Sequence, residues 1–389
     1  MPARALPVHR WGGLEFHTFD LARALAERGH DVTILTSAHS AKTGWDQMAE
    51  GLRVWHLPKG APGDYSFTFF QQLKSLLLRL DASQPFDIIH AQEFAGLFAG
   101  PFPGRFVCTI HGTMFSETPL DRRFWPHLIC RQKLAALWRH KPRIALHPFF
   151  KRMLKRADRL IVDSDFTWRE ICGIIPRARS KMRLIPLGAD FTRYAPANRS
   201  APSPETAHAF TVALLGRIQE MKGLGMAMRA AALLRERGID FRMIIAGAGD
   251  YSESLRRAIT ENGLQKHVDL RGPVAPESLG SFFSESDVFL FPDLTQPAFG
   301  LVAIEAMHHG LPVIGARSGA IPEIVTDETG WIYDPWNPAE LASLIGRLAR
   351  NPAEVEKKAW PLSSAIACYN APRMAADAEK VYLELAATA

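Results

Sequence analysis

Short apolar runs alternate with stretches of helical periodicity along almost the whole chain. The runs fall near 31–36, 52–57, 86–90, 105–110, 159–164, 183–187, 210–215, 241–246 and 286–291. Most of them stop at a glycine, a proline or a small polar residue. Strands that read as nearly continuous Val/Ile/Leu/Phe are buried on both faces, and the helices between them supply the cover. The pattern predicts an α/β protein with parallel sheets, in which ligands gather beyond the carboxyl ends of the strands. A chain of 389 residues is long enough for two such domains.

The most informative stretch runs from Pro292 to Gly319. Pro292 and Pro297 forbid regular structure at its start, and Gly300 frees the backbone to turn. Leu301 to Met307 then reads as a helix, stopped by Gly310 and Pro312, with a short strand at 313–315. A loop that opens into a helix presents bare amides and the positive end of a dipole, a setting suited to phosphate. Glu305 lies inside that helix, where a carboxylate can accept hydrogen bonds from sugar hydroxyls. A second glycine-rich turn, Gly12-Gly13, opens another helix at the start of the chain. A third, Gly216-Arg217 through Lys222-Gly223, places two cations at a strand end. Two cations there can neutralise an anionic group. His111 stands at the end of the 105–110 run, followed by a glycine.

Taken together, Phe-Gly-x-x-x-x-Glu-Ala-Met ending at Met307, Gly-Leu-Pro-Val at 310–313, Gly-Gly-x-Glu at 12–15 and Gly-Arg…Lys-Gly at 216–223 resemble the family 4 retaining glycosyltransferases. The resemblance extends from Gly12 to about Leu385 and implies the GT-B fold, two doubly wound Rossmann-like domains facing a cleft. It implies domains at 1–190 and 210–372, a linker at 191–209, and a last helix, 373–389, packing back on the first domain. It also implies transfer of a hexose from a nucleotide-diphosphate sugar to a hydroxyl of a glycan or lipid-linked acceptor, with retention of configuration, in cell-surface polysaccharide or glycolipid synthesis. The catalytic set it implies is Arg217, Lys222, Glu305 and His111. The donor-binding set is Gly12, Gly13, Gly216, Val274, Phe299, Gly300, Leu301 and Glu305. Neither a metal nor a resident cofactor is expected. The alternatives are a sugar-nucleotide epimerase of the same fold and a non-catalytic subunit that binds sugar nucleotide.

Two features depart from the family pattern. A second Glu is usual eight residues before the helix Glu, and here that position is Pro297, beside Gln296. A buried first strand usually precedes the Gly-Gly turn. Only Met1 to Val8 stand there, with two prolines, so the first strand is expected to be truncated.

Charge divides the chain unevenly. Residues 1–200 carry 29 Lys and Arg against 17 Asp and Glu, and 12 of those cations lie between Arg122 and Arg159 with one acid, Asp158. That segment, with Phe124, Trp125, Trp138, Phe149 and Phe150, is a candidate for contact with an anionic membrane surface. No nucleic-acid partner is expected. The absence of an 18-residue apolar run and of close cysteine pairs among Cys108, Cys130, Cys172 and Cys368 fits a cytoplasmic protein, peripheral on the inner face of the membrane.

Overall fold

A computed structural model of the chain describes residues 1–9, 11–39, 43–59, 65–97, 104–113, 146–193, 209–359 and 362–387. The chain divides into two compact units. One is Met1–Asp190 together with Tyr369–Ala389, and the other is Phe191–Cys368.

In the first unit, helix α1 (Gly13–Glu27) leads into β1 (Val32–Thr36), β2 (Gly44–Ala49) and β3 (Leu52–His56). Helix α2 (Phe67–Ser83), β4 (Ile88–Gln92), β5 (Arg105–Ile110), β6 (Arg159–Val162), helix α3 (Asp165–Ile174) and β7 (Met182–Leu184) follow. Among the described residues the strands order as β1-β3-β2 and β4-β5-β6-β7. All these pairings are parallel except β2 with β3, a hairpin that the apolar pattern does not signal, since its residues alternate partly buried and exposed.

The segment Met1–Ala3 runs between the two sheets. The Ala3 amide donates to the Leu35 carbonyl (2.9 Å), the Leu35 amide to the Met1 carbonyl (3.0 Å) and the Gln92 amide to the Pro2 carbonyl (2.9 Å). Pairing with β1 thus uses the polar groups of Met1 and Ala3, so the N–H that Pro2 lacks is missed only on the side of β4. The terminal helix Ala371–Ala387 buries Met374, Ala378 and Val381 with Leu21 and Leu25 of α1.

The second unit carries one parallel sheet of β8 (Phe210–Leu215), β9 (Phe241–Ala246), β10 (Val268–Gly272), β11 (Val288–Phe291), β12 (Val313–Ala316) and β13 (Gly330–Tyr333). Its order is β10-β9-β8-β11-β12-β13. Helices α4 (Leu224–Glu236), α5 (Leu301–His308) and α6 (Pro338–Arg350) are among those that cover it. The strands are almost wholly apolar, and Val212, Leu214, Met243, Ile245 and Ile314 form the core with Ala227, Ala231 and Ile345 of the helices. The order reverses at β8, whose successors lie on one side and β11 on the other. In a doubly wound sheet such a switch point opens a crevice at the strand ends.

Candidate functional site

In the second unit the loops after β8 and β11 meet at that switch point. Gly216 begins the first loop at φ +149°, a conformation open to glycine, and Arg217 beside it is exposed. The loop ends in a short turn, Glu220–Lys222, and then Gly223 at φ +72° starts α4. A Cβ on Gly223 would lie 1.8 Å from the carbonyl oxygen of Pro292, so only glycine lets the loops approach this closely. The Leu294 amide donates to the Met221 carbonyl (2.9 Å), and the Lys222 ammonium donates to Asp293 Oδ2.

Asp293 is buried, at 1% exposure, and its other oxygen accepts from the amide (2.9 Å) and hydroxyl (2.6 Å) of Thr295. The carboxylate is therefore fixed from two sides and fixes Lys222 in turn. The ion pair spans 71 residues, and nothing local in the sequence marks Asp293 as the partner of Lys222.

The second loop leads to α5 through Gly300, in extended backbone, with half-buried Phe299 before it and Leu301 after it. A Cβ on Gly300 would meet Ile321 Cδ1 at 2.9 Å. Within α5 the Ala303 and Ile304 amides turn back to the Gly300 carbonyl, and the first-turn amides of Leu301 and Val302 point out of the helix end. Glu305 is half-buried one turn further along. Gly216, Arg217, Lys222, Phe299, Gly300, Leu301 and Glu305 therefore lie on two loops and one helix start around the same switch point. Val274 lies apart, after the edge strand β10.

The first unit has a switch point of its own, where Met1–Ala3 lies beside β4. A small open pocket there is lined by, among others, Arg4, Glu15, Tyr65, Gln92, Glu93 and His111. Gly12 caps α1, and a Cβ on it would lie 2.3 Å from Glu15 Oε2, so the missing side chain lets Glu15 fold back over the helix start. Gly13 opens the helix and is exposed. Arg4 pairs with Glu15 at 3.4 Å and lies 5.3 Å from the centre of the Tyr65 ring. Glu93 adopts φ +53°, a left-handed conformation that costs a non-glycine residue about 1 kcal/mol or more. Burial, reinforced by Glu93, holds the Tyr65 hydroxyl well above its ordinary range, so it stays a donor.

His111 follows β5, between the ends of β4 and β6. Its Nε2 lies 3.2 Å from Gln92 Oε1, and its Nδ1 lies 3.5 Å from Asp163 Oδ2. Burial lowers His111 to about 3 and raises Asp163 to about 7, against hydrogen bonds from Thr167 and Ser164 that favour its carboxylate. His111 is thus a neutral imidazole at the pocket wall. Asp163, Gln92, Tyr65 and Arg4 are functional candidates the sequence reading missed, because the fold brings together two strand ends, the start of α2 and the N-terminal segment, which lie far apart in the chain. The 122–145 part of the basic segment lies outside the described residues, and 146–156 is helical.

Two family models tile the sequence: one described as Glycosyltransferase Family 4 matches residues 11–193, and one described as Glycosyl transferases group 1 matches 199–360. The chain belongs to the family 4, group 1 glycosyltransferases. This glycosyltransferase is 26% identical over 332 residues to the phosphatidylinositol N-acetylglucosaminyltransferase GPI3 subunit of Saccharomyces cerevisiae, covering 82% of this chain and 67% of the yeast protein. The structure of sucrose-phosphate synthase from Thermosynechococcus elongatus aligns with a TM-score of 0.79 at 22% identity, over 97% of this chain and 94% of that one. Anabaena HepE, solved with UDP and glucose, aligns with a TM-score of 0.66 at 18% identity, over 98% of this chain and 96% of that one. Two Rossmann-like units and these neighbours place the glycosyltransferase in the GT-B fold. Among the described residues no helix is long and apolar enough to cross a membrane.

Proposed function

We propose that this glycosyltransferase moves a hexose from a nucleotide-diphosphate sugar to a hydroxyl of a glycan or lipid-linked acceptor with retention of configuration, in cell-surface polysaccharide or glycolipid synthesis. The observation that carries the reading is Lys222, aimed by buried Asp293 at a switch point where the start of α5 presents bare amides. In this reading Arg217 and Lys222 neutralise the diphosphate as the bond to the sugar breaks. The amides at Gly300 and Leu301 hold its oxygens, and Glu305 accepts from the ribose hydroxyls. The leaving diphosphate takes the acceptor proton on the face it departs from, so no carboxylate pair is needed there. With two cations at the leaving group, the reaction runs without a divalent metal.

The pocket of the first unit supports a hydroxyl-bearing acceptor. Two carboxylates, Glu15 and Glu93, outweigh one guanidinium, Arg4, and they stand with Tyr65 and neutral His111, a set that accepts from and donates to hydroxyls. UDP in the HepE structure and the phosphatidylinositol-directed yeast relative are in keeping with such a donor and a lipid-linked acceptor.

The test is release of nucleoside diphosphate from a panel of UDP- and GDP-sugars with glycan and lipid-linked acceptors, the product anomer being read by NMR. Arg217→Ala is expected to lower release about a hundredfold. Unchanged release in that variant, or an inverted product, contradicts the proposal.

A further inference from the structure

Gln92 ends β4, and His111 and Asp163 directly follow the neighbouring parallel strands β5 and β6, so the imidazole lies between an amide and a carboxyl group. His111 and Asp163 side chains are 3% and 1% exposed. One carboxyl oxygen is committed: Asp163 Oδ1 accepts from the Thr167 hydroxyl at 2.9 Å and the Ser164 hydroxyl at 3.3 Å. Ser164 also caps α3 by accepting from the Thr167 amide, so the carboxyl plane is set by a helix start. The other oxygen, Oδ2, faces His111 Nδ1, and neither atom makes a hydrogen bond to any other group among the described residues.

On the far side of the ring, Nε2 meets an amide oxygen, which can only accept. With that oxygen as the acceptor, Nε2 carries the ring proton and Nδ1 presents a lone pair to Asp163. Two lone pairs facing each other in a buried site repel, whereas a single proton between them turns the contact into a hydrogen bond.

We propose that Asp163 is a positioning residue for His111: it holds the proton on Oδ2 toward Nδ1 and thereby fixes the imidazole as the Nε2–H tautomer with its edge at the pocket. The inference rests on the reading that His111 serves transfer. The burial that raises Asp163 and lowers His111 favours the same neutral pair. The other titratable groups near the ring are His17, with its centroid 4.6 Å away, and His90; both are held well below their ordinary range, chiefly by burial. Glu15 and Glu93 face His111 across the pocket.

The tautomer is read directly, without substrate, from imidazole nitrogen shifts of the 15N-labelled full chain, with His111→Asn identifying the signal. Wild type is expected to show the Nε2–H form from pH 5 to 6, below the range in which Asp163 gives up its proton. Asp163→Asn, whose amide N–H can donate to Nδ1, is expected to keep it, and Asp163→Ala is expected to show mixed tautomers. In donor turnover Asp163→Ala is expected to lose about tenfold in kcat at unchanged donor KM, with Asp163→Asn restoring most of it. An Nδ1–H form in wild type, an unaltered tautomer in Asp163→Ala, or equal damage in both variants overturns the proposal. A tautomer that behaves as expected in a protein without turnover points instead to failure of the proposed transfer.

Discussion

Cutting the ion pair between Lys222 and Asp293 tests the donor site and its packing together. Lys222 is 31% exposed and Asp293 1%, so the two partners lose unequally when separated. Removing one partner of a fully buried pair costs about 3–5 kcal/mol, because a bare charge stays behind. Here water reaches the lysine end and Thr295 still donates twice to the carboxylate, which brings the expected cost of Lys222→Ala down to about 1–2 kcal/mol. Asp293→Asn leaves a lysine that can turn to solvent and is expected to cost about 1 kcal/mol. The double variant should be less destabilised than the sum by about 1 kcal/mol, measured from urea unfolding at pH 7.

Function should separate the two variants more widely. Lys222→Ala removes the charge itself and is expected to lower nucleoside diphosphate release about a hundredfold, or about 2.7 kcal/mol of transition-state stabilisation. Asp293→Asn keeps the charge but releases its aim, with an expected loss of about tenfold. Strict additivity of the two stabilities, or full turnover in Lys222→Ala, would refute the reasoning.

Other outcomes follow from local geometry. Gly223→Ala drives a methyl group to 1.8 Å from the Pro292 carbonyl at a left-handed backbone and is expected to destabilise by more than about 2 kcal/mol. Gly29→Ala, at φ +92° with open space around it, carries strain alone and about 1 kcal/mol; equal thermal shifts in the two variants would contradict the packing argument. Asp163, raised from 3.8 to about 7, binds its proton more tightly folded than unfolded. Its contribution is therefore fully present below about pH 4 and is lost as pH rises to about 7, at about 1.4 kcal/mol per unit. Asp163→Asn should remove that slope, and unfolding curves between pH 4 and 8 that parallel those of wild type would exclude it.

Much of the fold was legible because its signals are local. Apolar runs broken by glycine and proline reveal strands and helix starts without any knowledge of the partner. The Gly300–Glu305 and Gly216–Gly223 segments carry their turn chemistry within a few residues. The hairpin strand β2 was not legible, since Gly44–Ala49 is half exposed and has little apolar signal. The N-terminal segment was poorly legible too. Its two prolines argue against a strand, yet Met1–Ala3 bonds to both β1 and β4 through atoms that Pro2 need not supply.

What the sequence alone determined is the set of short-range facts: where glycine must stand, which faces are apolar, which cations flank a turn, and the family those features mark. Only the tertiary structure decided which charges face one another. Lys222 meets Asp293, and His111 meets Asp163, because strand order puts distant loop ends side by side. Those pairings depend on burial and on angles between neighbouring strand ends, quantities that no stretch of a dozen residues encodes.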